Sequence, residues 1–402
     1  MIVGIDIGRN ASGVACPLLG LPENLKQYLK YPRIPLFKIK ADHQSLDKLL
    51  ALNPKGIVME PTGGWYSQFW ARFGEVYSIP VYWCPHAELK AQRGHFGFPN
   101  KYDDNDALCL AASYYDPYFV DQWGRKRFLS GHQLKAIQPL RELVFEWYQL
   151  DKLIGGLTAQ LKLRLSYEFP EMSMTKWDKG VDGLTPSVGW LAGVRKNRIR
   201  DNQLEHSVAN RLGIDITEYT IDHAQLTYGL ELRQLAIEES LLQLIASEPL
   251  RDYAKALTPF GFSPHLLGLI IYKIFPFEKF LVNGKPWTER INREGKTESK
   301  RNISLSQFQA YFGLSRRVEQ SGLTEKIKWS GSKLLRAKLY AWALSRVCAR
   351  KSRIKSEIGE KLGNKWDDMK AKGTANGKDA ITRLNFMTTR LMFQRLTKEL
   401  VK

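Results

Sequence analysis

Residues 2–7 read Ile2-Val3-Gly4-Ile5-Asp6-Ile7, an apolar run that contains one glycine and one aspartate. Short apolar runs of this length are typical of strands buried on both faces of a sheet. A charged side chain inside such a strand is costly unless it faces a site. The run therefore predicts a buried strand and makes Asp6 the first candidate site residue.

The residues that follow alternate between strand and helix patterns. The predicted strands cover 13–18, 34–39, 56–60 and 81–84, and the predicted helices lie around 45–52 and 65–73. Such alternation is typical of an α/β sheet covered by helices. We therefore expect an α/β domain over residues 1–128.

A helical connection and a mainly helical C-terminal domain are predicted beyond it. Apolar residues recur at steps of three and four over 134–165 and again over 226–245, so these helices could pair as an antiparallel hairpin or coiled coil. The connection would cover 129–250, with an unassigned insertion at 171–225, and the C-terminal domain 251–402. Within the latter, 283–302 is expected to be loop, with helices from 332 past 348 and over 379–396.

The charge of the chain is divided unevenly. The 402 residues carry a net charge of +19, yet residues 1–250 hold 28 basic and 28 acidic residues, and residues 251–402 hold 32 and 13. A one-sided basic excess favours contact with a polyanion over a merely solvated surface. The basic run at 195–200 is open to either reading, a nucleic-acid contact or a solvated loop.

Other sequence features narrow the class of protein. No run of eighteen apolar residues occurs, and the N-terminal residues lack the pattern of a secretory signal, so no membrane span is expected. The four cysteines (Cys16, Cys84, Cys109 and Cys348) are scattered and form no CxxC pair. We therefore expect neither a zinc site nor a disulfide framework, and a reducing cytoplasm as location.

Four carboxylates form an ordered set in the first domain. Glu60 ends a predicted strand as Asp6 does, and ligand sites of open α/β sheets lie at strand ends. Asp103 and Asp106 stand three apart at the start of a predicted helix, which places them on one helical face. Four such carboxylates could hold two Mg²⁺ ions and serve phosphodiester cleavage.

Each residue also has a simpler interpretation. Asp103 could be a helix N-cap, and Glu60 could pair with a lysine. A Gly-Ile-Asp-Ile-Gly run also occurs in actin-like sugar kinases and chaperones, but their second phosphate loop has no convincing match in this chain. His95 and His265 are expected to be structural.

Taken together, these motifs resemble the DEDD-type insertion-sequence transposases, a family of bridge-RNA-guided serine recombinases. Gly4-Ile5-Asp6-Ile7-Gly8 is similar to the family's first acidic motif, Met59-Glu60-Pro61-Thr62-Gly63 to the second, and residues 101–107 to the third. Near the C-terminus, Gln320-Ser321-Gly322 and the run 329–336 resemble the family's serine motif and the segment after it.

The resemblance implies a fold, a reaction and partners. It implies a RuvC/RNase H-like N-terminal domain, whose Asp6, Glu60, Asp103 and Asp106 would bind Mg²⁺. Ser321 would attack DNA to form a phosphoserine intermediate. Expected partners are donor and target DNA, a structured guide RNA and further copies of the chain in a dimer or tetramer, in a prokaryotic, nucleoid-associated setting.

Alternatives remain open at this point. Ser330-Gly331 is a second Ser-Gly pair, and the basic residues around Ser321 could contact phosphates or form a solvated face: Arg316, Arg317, Lys326, Lys328, Lys333 and Arg336. A RuvC-type nuclease that uses water as its nucleophile is the main alternative to the transposase. A catalytically inert nucleic-acid-binding protein is the third hypothesis.

Overall fold

The computed structural model describes residues 1–30, 36–61, 66–98, 100–121, 124–128, 131–291, 299–321, 324–373 and 377–401. Within these ranges, the side chains of residues 29–30, 131–136, 291, 299, 317–321 and 324–328 lie outside the description. The chain divides into two compact units, Met1–Gln138 and Pro139–Lys402. The three-part division at residues 128 and 250 stays a prediction.

The first unit is built on a five-stranded mixed sheet. Its strands, in the spatial order β3-β2-β1-β4-β5, are β1 (Ile2–Ile7), β2 (Gly13–Leu18), β3 (Phe37–Ile39), β4 (Gly56–Met59) and β5 (Val81–Trp83). Strand β2 is antiparallel to both of its neighbours, β1 and β3, whereas β1, β4 and β5 are parallel to one another. The helices are α1 (Leu25–Lys30), α2 (His43–Ala51), α3 (Tyr66–Val76), α4 (His86–His95) and α5 (Asp103–Tyr115). The predicted α/β sheet is confirmed.

Helices cover both faces of this sheet, and β1 is buried along its whole length. Ile5 packs in one apolar cluster with Trp70 of α3, while Ile2 packs in another with Ala111 of α5. Successive residues of a strand alternate between faces. Asp6 therefore shares the face of Ile2, which is the face that α5 covers.

Gly4 sets how closely α5 approaches the sheet. A Cβ atom at Gly4 would lie 2.1 Å from the Ala107 carbonyl oxygen and 2.5 Å from the Ala111 backbone nitrogen. Only a residue without a side chain therefore permits this backbone-to-backbone contact. The contact fixes the helix over the strand that carries Asp6.

Two long antiparallel helices follow the sheet, with four shorter helices between them. They are α6 (Gly131–Glu168), α7 (Pro170–Ser173), α8 (Pro186–Leu191), α9 (Arg198–Glu205), α10 (Val208–Arg211) and α11 (Glu218–Ile245). Arg233 donates to Glu146 Oε1 at 2.7 Å, and Thr217 at the start of α11 donates to Glu168 Oε1 at 2.9 Å. Residue numbers therefore rise along α6 as they fall along α11, as an antiparallel pair requires.

The insertion at 171–225 is helical and joined to α11. Glu231 is buried and accepts hydrogen bonds from both the backbone nitrogen and the hydroxyl of Thr185. The basic run at 195–200 is not entirely loop, because α9 begins within it at Arg198. Arg200 donates to Ser187 Oγ at 2.6 Å, and Arg195 pairs with Asp182.

The remainder of the second unit is mainly helical, as predicted, but contains three β-hairpins. Its elements are α12 (Arg251–Leu257), α13 (Pro264–Ile274), β6 (Leu281–Val282), β7 (Lys285–Pro286), β8 (Thr288–Ile291), β9 (Ser299–Asn302), α14 (Ile303–Tyr311), β10 (Ser315–Ser321), β11 (Thr324–Ser330), α15 (Lys333–Ala343), α16 (Glu357–Ala371) and α17 (Gly377–Leu400). Hairpins β6–β7, β8–β9 and β10–β11 are each antiparallel.

Two predictions for this part are wrong. The described residues between 283 and 302 are not a plain loop, because Asn283 and Gly284, both with positive φ, form the turn of the β6–β7 hairpin, and β8 pairs with β9. Asn-Gly is the preferred pair for such tight turns. The helix expected past residue 348 ends as α15 at Ala343, and a π-helical turn continues it over Leu344–Cys348.

The β10–β11 hairpin is anchored at its base by two glycines. A Cβ atom at Gly331 would lie 1.9 Å from the Ala310 carbonyl oxygen and 2.9 Å from Gly313 Cα, and both glycines have positive φ. From this base the pairing runs from Ser315 opposite Ser330 to Ser321 opposite Thr324. Ser321 therefore lies at the far end of the paired ribbon.

Within the described ranges, no helix combines the length and the apolar character needed to cross a membrane.

The close approach at Gly4 leads to a stability prediction. We expect Gly4→Ala to lower the free energy of unfolding of the first unit by about 2–4 kcal/mol, because the added methyl group must displace backbone atoms of α5. Gly94→Ala is the matched control, since a Cβ atom there meets nothing within 4 Å. Urea denaturation measures both variants, and equal stabilities would contradict the assigned contact.

Candidate active site

Asp6 and Glu60 lie side by side at one edge of the sheet. Strands β1 and β4 are parallel neighbours, and Ile5 pairs with Met59. Asp6 follows Ile5 and Glu60 follows Met59, so the two acids are the next residues beyond this pair. Strand β4 itself ends at Met59. Both side chains are about 7% exposed. The carboxyl ends of two parallel strands therefore bring the two acids together, as expected for a site in an α/β sheet.

The first turn of α5 brings two further carboxylates to the same place. Asp106 is 1% exposed, whereas Asp103 is exposed at the start of the helix. The N-cap is Tyr102, whose side chain makes no capping bond. Asp103 is therefore a helical residue, and its interpretation as the N-cap is wrong.

The pKa of Asp6 shows that these four carboxylates act on one another. Burial raises that pKa from 3.8 to about 7, with further increases from the charges of Asp106, Asp103 and Glu60; Lys101 opposes them. Burial is also the largest cause that raises the pKa of Asp106, while the charge of Arg93 opposes it. Like charges this close favour protonation of one of them.

Two basic side chains that the sequence analysis did not single out, His86 and Arg93, contact the cluster. His86 Nδ1, at the start of α4, lies 3.0 Å from Glu60 Oε2, and this hydrogen bond raises the pKa of His86. Glu60 therefore pairs with a histidine rather than with the lysine considered above. Arg93 Nε lies 3.2 Å from Asp106 Oδ1, and its Nη1 donates to Oδ2 at 3.4 Å.

The positions of His86 and Arg93 in the sequence could have identified them as partners of the acidic residues. Strand β5 runs parallel to β4, and α4 begins three residues after it. A helix that follows the neighbouring strand starts at the same sheet edge as Glu60. His86 and Arg93 are seven residues apart, close to two helical turns, and so face the same side.

The donor chemistry fits a divalent cation with oxygen ligands. All four candidate side chains are carboxylates, the ligand type that Mg²⁺ prefers. Asp106 Oδ1 is buried and accepts no hydrogen bond of good geometry from the described residues, although Arg93 Nε lies 3.2 Å from it. In the part of the chain that the structure covers, no three acidic, histidine or cysteine side chains are close enough to enclose an ion as they stand. Arg93 supplies positive charge next to Asp106, and the His86 ring contacts Glu60 in this arrangement.

Part of the predicted phosphate-contact set lies around the base of the β10–β11 hairpin in the second unit. The side chains of Ser321, Arg317, Lys326 and Lys328 lie outside the described residues. Arg316 is exposed, with its guanidinium 5.1 Å from the centre of the Trp329 ring, and the guanidinium of Arg336 lies 5.6 Å from the same ring. Arg336 also donates to the Gly313 carbonyl at 2.8 Å. Lys333 is exposed at the start of α15.

The two predicted structural histidines make contacts within the fold. His265 stacks on Trp147 with 3.5 Å between ring centres, and its ring nitrogens contact Ser263 and Glu238. His95 Nε2 lies 3.9 Å from the buried Asp116. Neither histidine is among the groups that shift the pKa of Asp6.

Comparison with known proteins supplies a family for the hairpin region. The model of the Transposase IS116/IS110/IS902 family matches residues 296–358, which include the β10–β11 hairpin and α15. No curated protein matches the chain. The family match supports an insertion-sequence transposase with DNA as its partner.

The raised pKa of Asp6 predicts a stability that falls with pH in metal-free buffer. Between about pH 4 and pH 7 the folded state holds a proton at Asp6 that the unfolded state has lost. The contribution of Asp6 to the unfolding free energy therefore declines across this range, by roughly 4 kcal/mol at most. Asp6→Asn should remove this decline and make the first unit more stable than wild type near pH 8. Urea denaturation in EDTA at pH 5 and pH 8 measures it.

Asp104→Asn is the control for this experiment. Asp104 is an exposed carboxylate in the same helical turn and is not among the causes of the Asp6 shift. Its replacement should leave the pH dependence as in wild type. A pH dependence of Asp6→Asn that equals that of wild type would show that Asp6 is not the titrating group.

Proposed function

We propose that this chain is a DNA transposase that cuts and rejoins DNA through a phosphoserine intermediate at Ser321, with Asp6, Glu60, Asp103 and Asp106 as an Mg²⁺ site. The observation that carries the proposal is the match of the transposase family to the region around Ser321, in a chain that also gathers four carboxylates at one sheet edge. The mixed sheet, with both acidic strands side by side at its centre, supports a RuvC-like domain.

The register of the β10–β11 hairpin suits a phosphate-binding role. Arg317 pairs with Lys328, and Glu319 pairs with Lys326. The same ladder ends where Ser321 pairs with Thr324. The two pairs carry three basic residues and one acidic residue, and such a basic excess beside the serine favours contact with a DNA phosphate.

The proposed reaction exchanges one phosphodiester for another. The Oγ of Ser321 attacks phosphorus, an Oγ–P bond forms, and the P–O bond to one deoxyribose breaks. The serine loses its proton and the leaving deoxyribose oxygen gains one. Attack by a deoxyribose hydroxyl on the phosphoserine reverses these steps, so the strands are rejoined without an external energy source.

The acidic cluster would support this exchange. Its carboxylates would hold Mg²⁺, and the chemistry such an ion would supply is positive charge for the pentacovalent phosphate and help with proton loss from the serine. Glu60 and Asp106 are held in place by His86 and Arg93, and Asp6 is fixed by its strand. We propose that the acidic cluster and the serine of one reaction centre come from different subunits of a dimer or tetramer.

A structured RNA is proposed as the guide that selects the DNA. The basic excess of residues 251–402 supports a nucleic-acid partner, and base pairing with RNA would supply a specificity that backbone contacts alone lack.

The proposed nucleophile is tested by trapping a covalent protein–DNA adduct in the presence of Mg²⁺. We expect wild type to form the adduct and Ser321→Ala to form none. Ser330→Ala is the matched control, because Ser330 lies in the same hairpin at its anchored base and also precedes a glycine. Cleavage without an adduct, retained by Ser321→Ala but lost in Asp6→Asn, would instead establish a nuclease that uses water.

The proposed guide is tested on the nucleic acid that co-purifies with the protein. We expect sequencing to recover one discrete, structured RNA, and its removal with ribonuclease to abolish adduct formation on a defined DNA target. Adding that RNA back should restore the adduct. Undiminished adduct formation by RNA-free protein would contradict the guide and leave a protein-only transposase.

A further inference from the structure

A solvent-facing cleft lies where the end of α15 meets α16. The π-helical turn Leu344–Cys348 and the short 3₁₀ turn Arg350–Ser352 form one side, and the second half of α16 forms the other. Its volume is about 430 Å³, and its lining residues are Cys348, Arg350, Trp366, Asp367, Lys370 and Ala371.

Arg353 holds the walls of this cleft together. Its Nη1 and Nη2 donate to the two oxygens of Asp367 at 3.1 and 3.2 Å, and its Nε donates to the Val347 carbonyl at 2.9 Å. Gly363 makes room for it, since a Cβ atom there would lie 2.6 Å from Arg353 Cδ. The carboxylate of Asp367 is therefore neutralised and fixed, so the cleft keeps its shape without a bound ligand.

The surroundings of the cleft are strongly basic. Residues 344–372 contain nine lysines and arginines against four acidic residues. The side chain of Arg350 is 80% exposed, and Lys370 is exposed on the opposite wall. Trp366 is half-buried and, like Lys370, lines the cleft from α16, and Arg350 Nη2 lies 3.7 Å from Asp367 Oδ2. An aromatic ring that lines a cleft together with exposed cations is a combination that binds single-stranded nucleic acid through base stacking and phosphate contacts.

We propose that this cleft binds one unpaired nucleotide of a nucleic-acid strand, with the base stacked on Trp366 and its flanking phosphates near Arg350 and Lys370. The volume suits a single base and sugar and is too small for a duplex. This assignment rests on the proposed function only in taking nucleic acid as the ligand. It adds a site remote in sequence from Ser321 and from the acidic cluster.

The binding test uses the full chain, freed of bound nucleic acid by high salt and kept in EDTA so that no strand is cut. Binding of a short fluorescent single strand is measured by anisotropy. Trp366→Ala should weaken binding about tenfold, the loss expected for one stacked base, and Trp366→Phe should retain most of the affinity. Trp177→Ala is the matched control, a half-buried tryptophan with Lys162 5.3 Å from its ring but outside the cleft.

Variants of Arg350 and Lys370 test the proposed phosphate contacts and leave the aromatic ring in place. Arg350→Gln and Lys370→Gln should each lower the slope of log affinity against log salt by about one. This readout stays available if Trp366→Ala fails to fold, which circular dichroism would show. Unchanged slopes together with wild-type affinity in Trp366→Phe and Trp366→Ala would overturn the proposal.

Cys348 offers a direct probe of occupancy. Cys16, Cys84 and Cys109 are buried, whereas Cys348 is half-buried on the cleft wall, and burial raises the pKa of its thiol to about 11. Labelling by a maleimide at pH 8.5 should therefore report mainly Cys348. A bound single strand should slow it, whereas a duplex or a strand of abasic residues should not.

DNA and RNA strands of one sequence separate the two sources of the nucleotide. Protection of Cys348 by RNA alone would assign the cleft to the guide, and protection by DNA would assign it to the strand being cut. If neither strand protects Cys348, the proposed nucleotide site is wrong. The Ser321 adduct assay is independent, so loss of the adduct with intact protection would count against the proposed reaction and not against the cleft.

Discussion

The backbone contact between α5 and β1 at Gly4 is the constraint on which the acidic site depends. The absence of a side chain at one residue lets the helix lie directly on the strand, with Ala107 and Ala111 against Gly4. Asp103 lies four residues before Ala107 and Asp106 directly precedes it, so the same contact places both near the end of β1, where Asp6 lies. The parallel pairing of β1 with β4 adds Glu60. Four acids from three elements thus converge because a helix and two strands have a single way to pack.

Placing these carboxylates close together raises the free energy of the folded state unless a cation neutralises them. Burial and mutual repulsion together raise the pKa of Asp6 to about 7, and burial also raises the pKa of Asp106. The charge of Arg93 offsets part of this repulsion. The fold therefore carries an electrostatic cost at this edge, which a divalent cation would relieve. Sites that bind substrates or metals commonly combine burial with like charge in this way.

Much of the first unit could be predicted from sequence because its signals are local. The apolar runs of β1 and β4 show which strands are buried, and the three-residue spacing of Asp103 and Asp106 shows one helical face. The partners of the acids could not be predicted in the same way, since His86 and Arg93 meet Glu60 and Asp106 only through the order of strands. In the second unit, the β6–β7 hairpin has a local signal in Asn283-Gly284, the pair typical of a tight turn. The pairing of β10 with β11 has none, because it joins polar strands that carry little hydrophobic alternation.

The β10–β11 ribbon has a mechanical consequence. Its base is held by the tight approach of Gly331 to Ala310 and Gly313, and six residue steps separate Ser315 from Ser321. At about 3.3 Å per residue, the serine stands about 20 Å from this pivot. A rotation of about 10° at the base would then shift the tip by about 3–4 Å, which is close to the separation of two reacting atoms. A ribbon of this length would act as a lever: a small adjustment at its base, beside α15, would move Ser321, the proposed nucleophile, over a distance that matters for reaction.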